Sequence, residues 1–193
     1  MTSRRRGSGT AQGVLLAPGA GTDASHPSLV AIEEALAPLP VRRFDFPYRK
    51  AGRRAPDRAP VLLQAVRDEI DAACAQWSAE RVVVGGRSMG GRMCSMVAAE
   101  GHPAVVGLVA ICYPLHPPGK PEKLRTEHLP DLAVPCLFVS GDRDPFGTPD
   151  QLEAATALIP GPVTHHWLPG KRHDLKGCDA EIARVVADWI AML

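Results

Sequence analysis

This chain lacks any pair of cysteines close enough to read as a redox or metal motif. The five present, Cys74, Cys94, Cys112, Cys136 and Cys178, are odd in number, widely spaced and mostly set among apolar neighbours. That pattern excludes a disulfide framework and reads as reduced core residues. No His/Cys/Asp cluster has metal-ligand spacing, and no glycine loop fits a phosphate or dinucleotide, so neither a metal nor another cofactor is expected. Charge of one sign is also lacking. With 22 Lys and Arg against 21 Asp and Glu, the formal net charge is +1, which leaves no overall field to gather nucleic acid or an anionic membrane. No apolar run approaches the length of a membrane span, and Arg4-Arg5-Arg6 runs into Gly7-Ser8-Gly9-Thr10 rather than an apolar signal core. A cytoplasmic protein is expected, with residues 1–12 as a disordered tail and residues 13–193 as one domain. The length of 193 residues and 45% hydrophobic content suit a single soluble core.

There is no internal repeat. Apolar runs instead alternate with amphipathic patterns of helical period, the arrangement of a parallel sheet covered by helices on both faces. The runs predict strands over Gly13 to Ala17, Val41 to Phe46, Arg81 to Gly85, Val105 to Cys112, Pro135 to Ser140 and Val163 to Leu168. Helices are predicted over Ser28 to Leu36, Ala59 to Trp77, Met89 to Glu100, Pro149 to Leu158 and Asp179 to Met192. The fold class is therefore α/β, with a roughly six-stranded, mostly parallel sheet. Two irregular stretches read as loops: the arginine-rich Pro47 to Pro60, with Asp57 expected to cap the following helix, and the proline-rich Tyr113 to Leu132. The second is too short for a folded cap domain and is expected to hold one helical turn around Glu122 to Leu129.

The most informative stretch is Gly86-Arg87-Ser88-Met89-Gly90, which follows the valine run Val82 to Val84 and opens a helical run. A strand, a tight turn and a helix with serine at the apex make a nucleophile elbow. The serine takes a strained backbone conformation that lifts its hydroxyl clear of the sheet, and the flanking glycines let strand and helix pass closely. The N–H of Met89, at the start of the helix, then supplies half of an oxyanion hole.

A serine hydroxyl becomes a useful nucleophile when a histidine takes its proton and an acid holds that histidine. Doubly wound sheets gather their sites at the carboxyl ends of the strands. After the strand ending at Ser140 come Asp142 and Asp144, and after the last strand comes His173. Asp144, at the loop tip before a proline, is preferred as the acid over Asp142, which sits where a turn-capping residue belongs. His165 and His166 fall inside a strand, one expected to point into the helices and the other to solvent. The second oxyanion donor is expected from the loop Ala17-Pro18-Gly19-Ala20-Gly21-Thr22, with Ala20 first choice, since Pro18 has no amide hydrogen. Gly19, Tyr113 and His116 are the residues expected to line a substrate site.

Together these residues resemble the α/β-hydrolase superfamily, and more closely its small dienelactone-hydrolase-like branch, including bacterial relatives of the hydrolase-like domain in a subunit of the nonspecific lethal chromatin complex. The resemblance rests on Gly85 to Arg92, Tyr113 to Gly119, Gly141 to Gly147, His173 to Lys176 and Phe44 to Arg49. It implies an α/β-hydrolase fold with Ser88, Asp144 and His173 as nucleophile, acid and base. The chain departs from the branch twice: Pro18 stands where a histidine usually opens the first loop, and serine replaces the cysteine of dienelactone hydrolases proper. The implied function is hydrolysis of an ester or thioester of a small or surface-accessible acyl substrate through an acyl-enzyme, by a monomer or homodimer. The alternatives are a perhydrolase or acyltransferase using the same residues, and an interaction module that has lost turnover.

Overall fold

Apolar runs separated each time by a helix-length segment pair in parallel through crossovers, because no short turn joins two of them. The structure, a computed structural model, describes residues 10–193 and bears this out. The strands are β1 (Gly13–Ala17), β2 (Val41–Arg43), β3 (Val82–Arg87), β4 (Val105–Ile111), β5 (Cys136–Gly141) and β6 (Val163–Leu168). The helices are α1 (Pro27–Leu36), α2 (Pro47–Lys50), α3 (Ala59–Trp77), α4 (Met89–Ala99), α5 (Pro149–Thr156) and α6 (Asp179–Ile190). All six strands are parallel, in the order β2-β1-β3-β4-β5-β6.

Side-chain alternation divides the core in two. Leu15, Val82, Val84, Leu108 and Phe138 face one side, where Leu62, Val66 and Ile70 of α3, Met93 of α4 and Leu152 of α5 cover them. Val14, Leu16, Val83, Val109 and Leu137 face the other, under Leu29 and Ile32 of α1 and Ile182 and Val186 of α6. Ser28 Oγ donates to Asp179 Oδ1 at 2.6 Å and joins the two helices of that second layer. The chain leaves β1 toward the β2 edge and, after β2, crosses back to β3. The carboxyl ends of β1 and β3 therefore flank the switch point at which such sheets open a crevice. There β3 and the first turn of α4 pass so close to β1 that a Cβ on Gly86 or Gly90 would collide with the Ala17 carbonyl.

Several expectations need correction. β2 stops at Arg43 rather than Phe46: Phe44 N still donates to Leu16 O at 3.2 Å, but Pro47 then starts the short helix α2, which the loop reading missed. Asp57 does not cap α3. It pairs with Arg53 at 2.7 Å, and the helix starts after Arg58 without a side-chain cap. The proline-rich loop carries its helical turn at Leu129–Asp131, later than Glu122 to Leu129. The helices α4, α5 and α6 end one or two residues earlier than their patterns predict, as fraying ends do. Of the expected tail, residues 1–9 lie outside the described residues, while Ala11 is buried and Gln12 N donates to Arg81 O at 2.8 Å. His165 and His166 both meet helices: His165 Nε2 lies 2.9 Å from Thr156 Oγ1 and His166 Nε2 lies 3.1 Å from Glu181 Oε1.

Two outcomes follow from this packing. Gly86→Ala forces the added methyl against backbone that has no side-chain freedom to yield, and costs about 1–3 kcal/mol, read as a lowered urea midpoint. His128, whose Nε2 sits 2.8 Å from Ser95 Oγ, is pushed down to about 4, by burial first and then by the Arg92 charge. Its unfolded value is near 6.5, so the unfolded chain binds more protons between those limits. Stability then falls as pH falls from about 6.5 toward 4, and His128→Gln flattens that slope in pH-dependent unfolding.

Candidate active site

Ser88 holds φ 50° and ψ −115°, a conformation no β-branched or bulky residue adopts freely. Such a turn costs on the order of 1–3 kcal/mol and persists where its surroundings fix it. Here Ser88 N donates to Ile111 O at 2.8 Å, tying the turn to β4, and Arg92 N donates back to Ser88 O at 3.0 Å, starting α4. The hydroxyl stays half-exposed above the sheet.

Ser88 Oγ lies 2.8 Å from His173 Nε2, and His173 Nδ1 lies 2.8 Å from Asp144 Oδ2. The Asp144 side chain is only 2% exposed, and its second oxygen accepts from Phe146 N at 2.9 Å, which keeps the carboxylate oriented toward the imidazole. Asp142, the rival acid, instead accepts from Gly170 N at 2.6 Å and staples the two loops together. The ring of Phe146 packs against that of His173, with centroids 4.3 Å apart. Neighbouring parallel strands bring these loops into contact: β5 ends under Asp144 and β6 under His173, with Gly141 paired to Leu168. A hydroxyl, an imidazole and a buried carboxylate in this line can activate the hydroxyl as a nucleophile, the imidazole accepting its proton and the carboxylate holding the other ring nitrogen.

The β1 loop closes over the same point. A Cβ on Gly19 would come within 3.5 Å of Ser88 Cβ, and Thr22 folds the loop back by donating from N and Oγ1 to Gly19 O at 3.2 and 3.0 Å. Ala20 is exposed with Gly21 at the tip of that turn, and Met89 is the first residue of α4. The loop is braced from β2. Asp45 Oδ1 accepts from Ala24 N at 2.8 Å, Arg49 pairs with Asp23 at 3.1 Å, and Arg43 donates to the Ala24 carbonyl. The Phe44 to Arg49 stretch, quoted above for its resemblance alone, thus has a physical task. Arg49 is correspondingly not a purely solvated charge, and Lys50 pairs with Glu69 of α3 at 2.9 Å.

Tyr113 does not line the site. It is 2% exposed, its hydroxyl donates to Arg125 O at 2.9 Å, and burial pushes its pKa up to about 12. Its role is to hold the proline-rich loop on the core. His116 is also buried, with Nδ1 3.0 Å from Pro117 O and its backbone N–H on Phe146 O at 3.3 Å, so it supports Phe146 from behind. Sequence reasoning did not single out Phe146, Asp45 or Arg87 as parts of this neighbourhood. Each nevertheless lies in a stretch that carries the resemblance, Arg87 in Gly85 to Arg92, Phe146 in Gly141 to Gly147 and Asp45 in Phe44 to Arg49. Cys112, next to the turn, is fully buried and pushed up to about 12, so it remains a neutral thiol.

A family model described as an alpha/beta hydrolase domain matches residues 10–185. The chain belongs to the α/β-hydrolase family. Solved structures agree on the fold of this α/β-hydrolase domain. An alpha-beta serine hydrolase homologue from Coxiella burnetii is 19% identical, with TM-score 0.74, over 94% of this chain and 86% of that one. A dienelactone hydrolase from Anabaena variabilis is 19% identical, with TM-score 0.72, over 96% and 88%. Est1E from Butyrivibrio proteoclasticus is 15% identical, with TM-score 0.76, over 95% and 88%. Among the described residues, no helix is long and apolar enough to cross a membrane, and no group of three His, Cys, Asp or Glu side chains is placed to hold a metal.

The brace gives a testable expectation. Asp45→Ala leaves the Ala24 amide without its partner and costs about 1–3 kcal/mol. Faster amide hydrogen exchange confined to residues 19–26 checks it.

Proposed function

We propose that this domain is a serine hydrolase that cleaves an ester or thioester through an acyl-enzyme. The observation that carries the reading is the unbroken line from Ser88 Oγ through His173 to Asp144, two contacts of 2.8 Å ending in a buried carboxylate. Ser88 Oγ attacks the acyl carbon while His173 Nε2 takes its proton, and Asp144 stabilises the imidazolium by accepting from Nδ1–H. The N–H groups of Met89 and Ala20 hold the oxyanion of the tetrahedral intermediate. Collapse expels the alcohol or thiol, which leaves with the proton from His173. Water then enters, gives its proton to His173, attacks the acyl carbon and releases the acid as Ser88 regains its hydrogen.

Among the described residues the stretch from Tyr113 to Leu132 holds one short helical turn and no folded cap, which supports a short acyl group or a substrate presented at the surface. The family relationship supports the reaction class. The named activities of the structural neighbours belong to those proteins and do not identify a substrate here.

The test is labelling with a fluorophosphonate, followed by turnover of short-chain nitrophenyl esters. Wild type labels and Ser88→Ala does not; His173→Ala and Asp144→Asn label and turn over about 10²- to 10⁴-fold more slowly. A folded wild type that neither labels nor turns over overturns the reading and leaves the interaction module in its place.

A further inference from the structure

Arg87 is a buried cation that the chemistry above does not use. It ends β3, immediately before Ser88, and is only 6% exposed. By strand alternation its side chain leaves on the same side as Val83, toward the layer containing α1, α6 and Leu175. No ion pair among the described residues includes it. Its partners are two successive backbone carbonyls: Nη2 donates to His173 O at 2.9 Å and to Asp174 O at 2.7 Å. Its Nη1 is buried without a partner. Burying a guanidinium without a counter-charge is costly, so a merely structural plug at this place would be better made by a long apolar side chain.

What the guanidinium supplies is a link no apolar residue can make. We infer that Arg87 is a positioning residue that fixes the backbone of the base to the backbone of the nucleophile, so that His173 Nε2 is held in register with Ser88 Oγ. The inference rests on the hydrolase reading above. Asp144 and Phe146 hold the His173 ring, and the other backbone anchors of its segment lie to either side of the base. Arg143 N donates to Lys171 O at 2.9 Å, Leu175 is buried in the second core layer, and Leu175 N closes a turn on Arg172 O at 3.1 Å. Among the described residues only Arg87 grips the carbonyl of His173 itself, and it does so from the position adjoining Ser88. Both bonds leave the one planar Nη2 amino group, so Arg87 fixes the backbone of the base relative to the nucleophile, while Asp144 and Phe146 orient its ring. Lysine, a tetrahedral donor on a flexible stem, reproduces the charge without the planar donor group.

The experiment compares wild type, Arg87→Met, Arg87→Lys and Arg87→Ala, with Ser88→Ala as the blank. It measures fluorophosphonate labelling rate, kcat and KM on a short ester, thermal unfolding, and hydrogen exchange at residues 172–176. Displacement of a reacting group by about 1 Å costs on the order of 100-fold, so Arg87→Met should label and turn over about 10- to 100-fold more slowly with KM little changed. Exchange at residues 172–176 should rise, Arg87→Lys should recover part of the rate, and guanidinium ion added to Arg87→Ala should recover more. If Arg87→Met does not fold, the lysine and alanine variants carry the comparison. A folded Arg87→Met within about twofold of a wild type that labels overturns this inference and leaves the hydrolase reading standing. A wild type that does not label overturns both.

Discussion

At the carboxyl end of the sheet, β1 and the turn at Ser88 meet backbone to backbone. Gly86 and Gly90 have no room for a Cβ beside the Ala17 carbonyl, and Gly19 lies against Ser88 from the other side. That approach sets the depth at which α4 starts and holds the first loop within reach of the hydroxyl. Ser88 could not keep its positive φ if the turn were free to relax. It is held by β4 through Ile111 and by the first turn of α4 through Arg92.

A second requirement is that two loops remote in sequence reach the same hydroxyl. Parallel pairing of β5 with β6 makes Asp144 and His173 neighbours, and the bond from Gly170 N to Asp142 closes the gap between their loops. Asp142 and Asp144 divide two tasks between them: one fixes loop to loop, the other faces the imidazole. Arg87 and Phe146 then settle where the imidazole stands, one from beneath through the backbone and one through its ring. The result is a short polar line built on a sheet whose interior is otherwise apolar.

Much of this was legible in the residues. The bounds of β1, β6 and α3 follow from the apolar runs and their periods. Gly-Arg-Ser-Met-Gly located the apex, and position after a strand located Asp144 and His173. The misreadings have separate causes. Tyr113 stands in an irregular loop just past a strand, where site residues are sought, but its ring meets Phe138 with centroids 5.8 Å apart and its hydroxyl finds the Arg125 carbonyl. Asp57 has the type and place of a cap, but Arg53 competes for it. Phe46 looks like strand, but the next residue, Pro47, starts a helix. For Tyr113 the deciding partners lie elsewhere in the fold, whereas for Asp57 and Phe46 a competing neighbour within four residues outweighed the expected preference.

Local chemistry in the sequence determined the elements, the parallel sheet and the identity of the elbow, because hydrophobic period, glycine and proline act over a few residues. The tertiary structure alone decided that Asp142 joins its loop to the one carrying His173 through Gly170, and that Tyr113 holds a loop down. It alone placed Asp45 and Arg49 against the Ala24 and Asp23 loop, and put a buried arginine on the carbonyls of the base. Each of those assignments depends on distances between segments up to 87 residues apart, as between Arg87 and Asp174. Hydrogen-bond geometry acts over about 3 Å in space, and residue spacing along a chain carries no such measure until the sheet has brought the segments together.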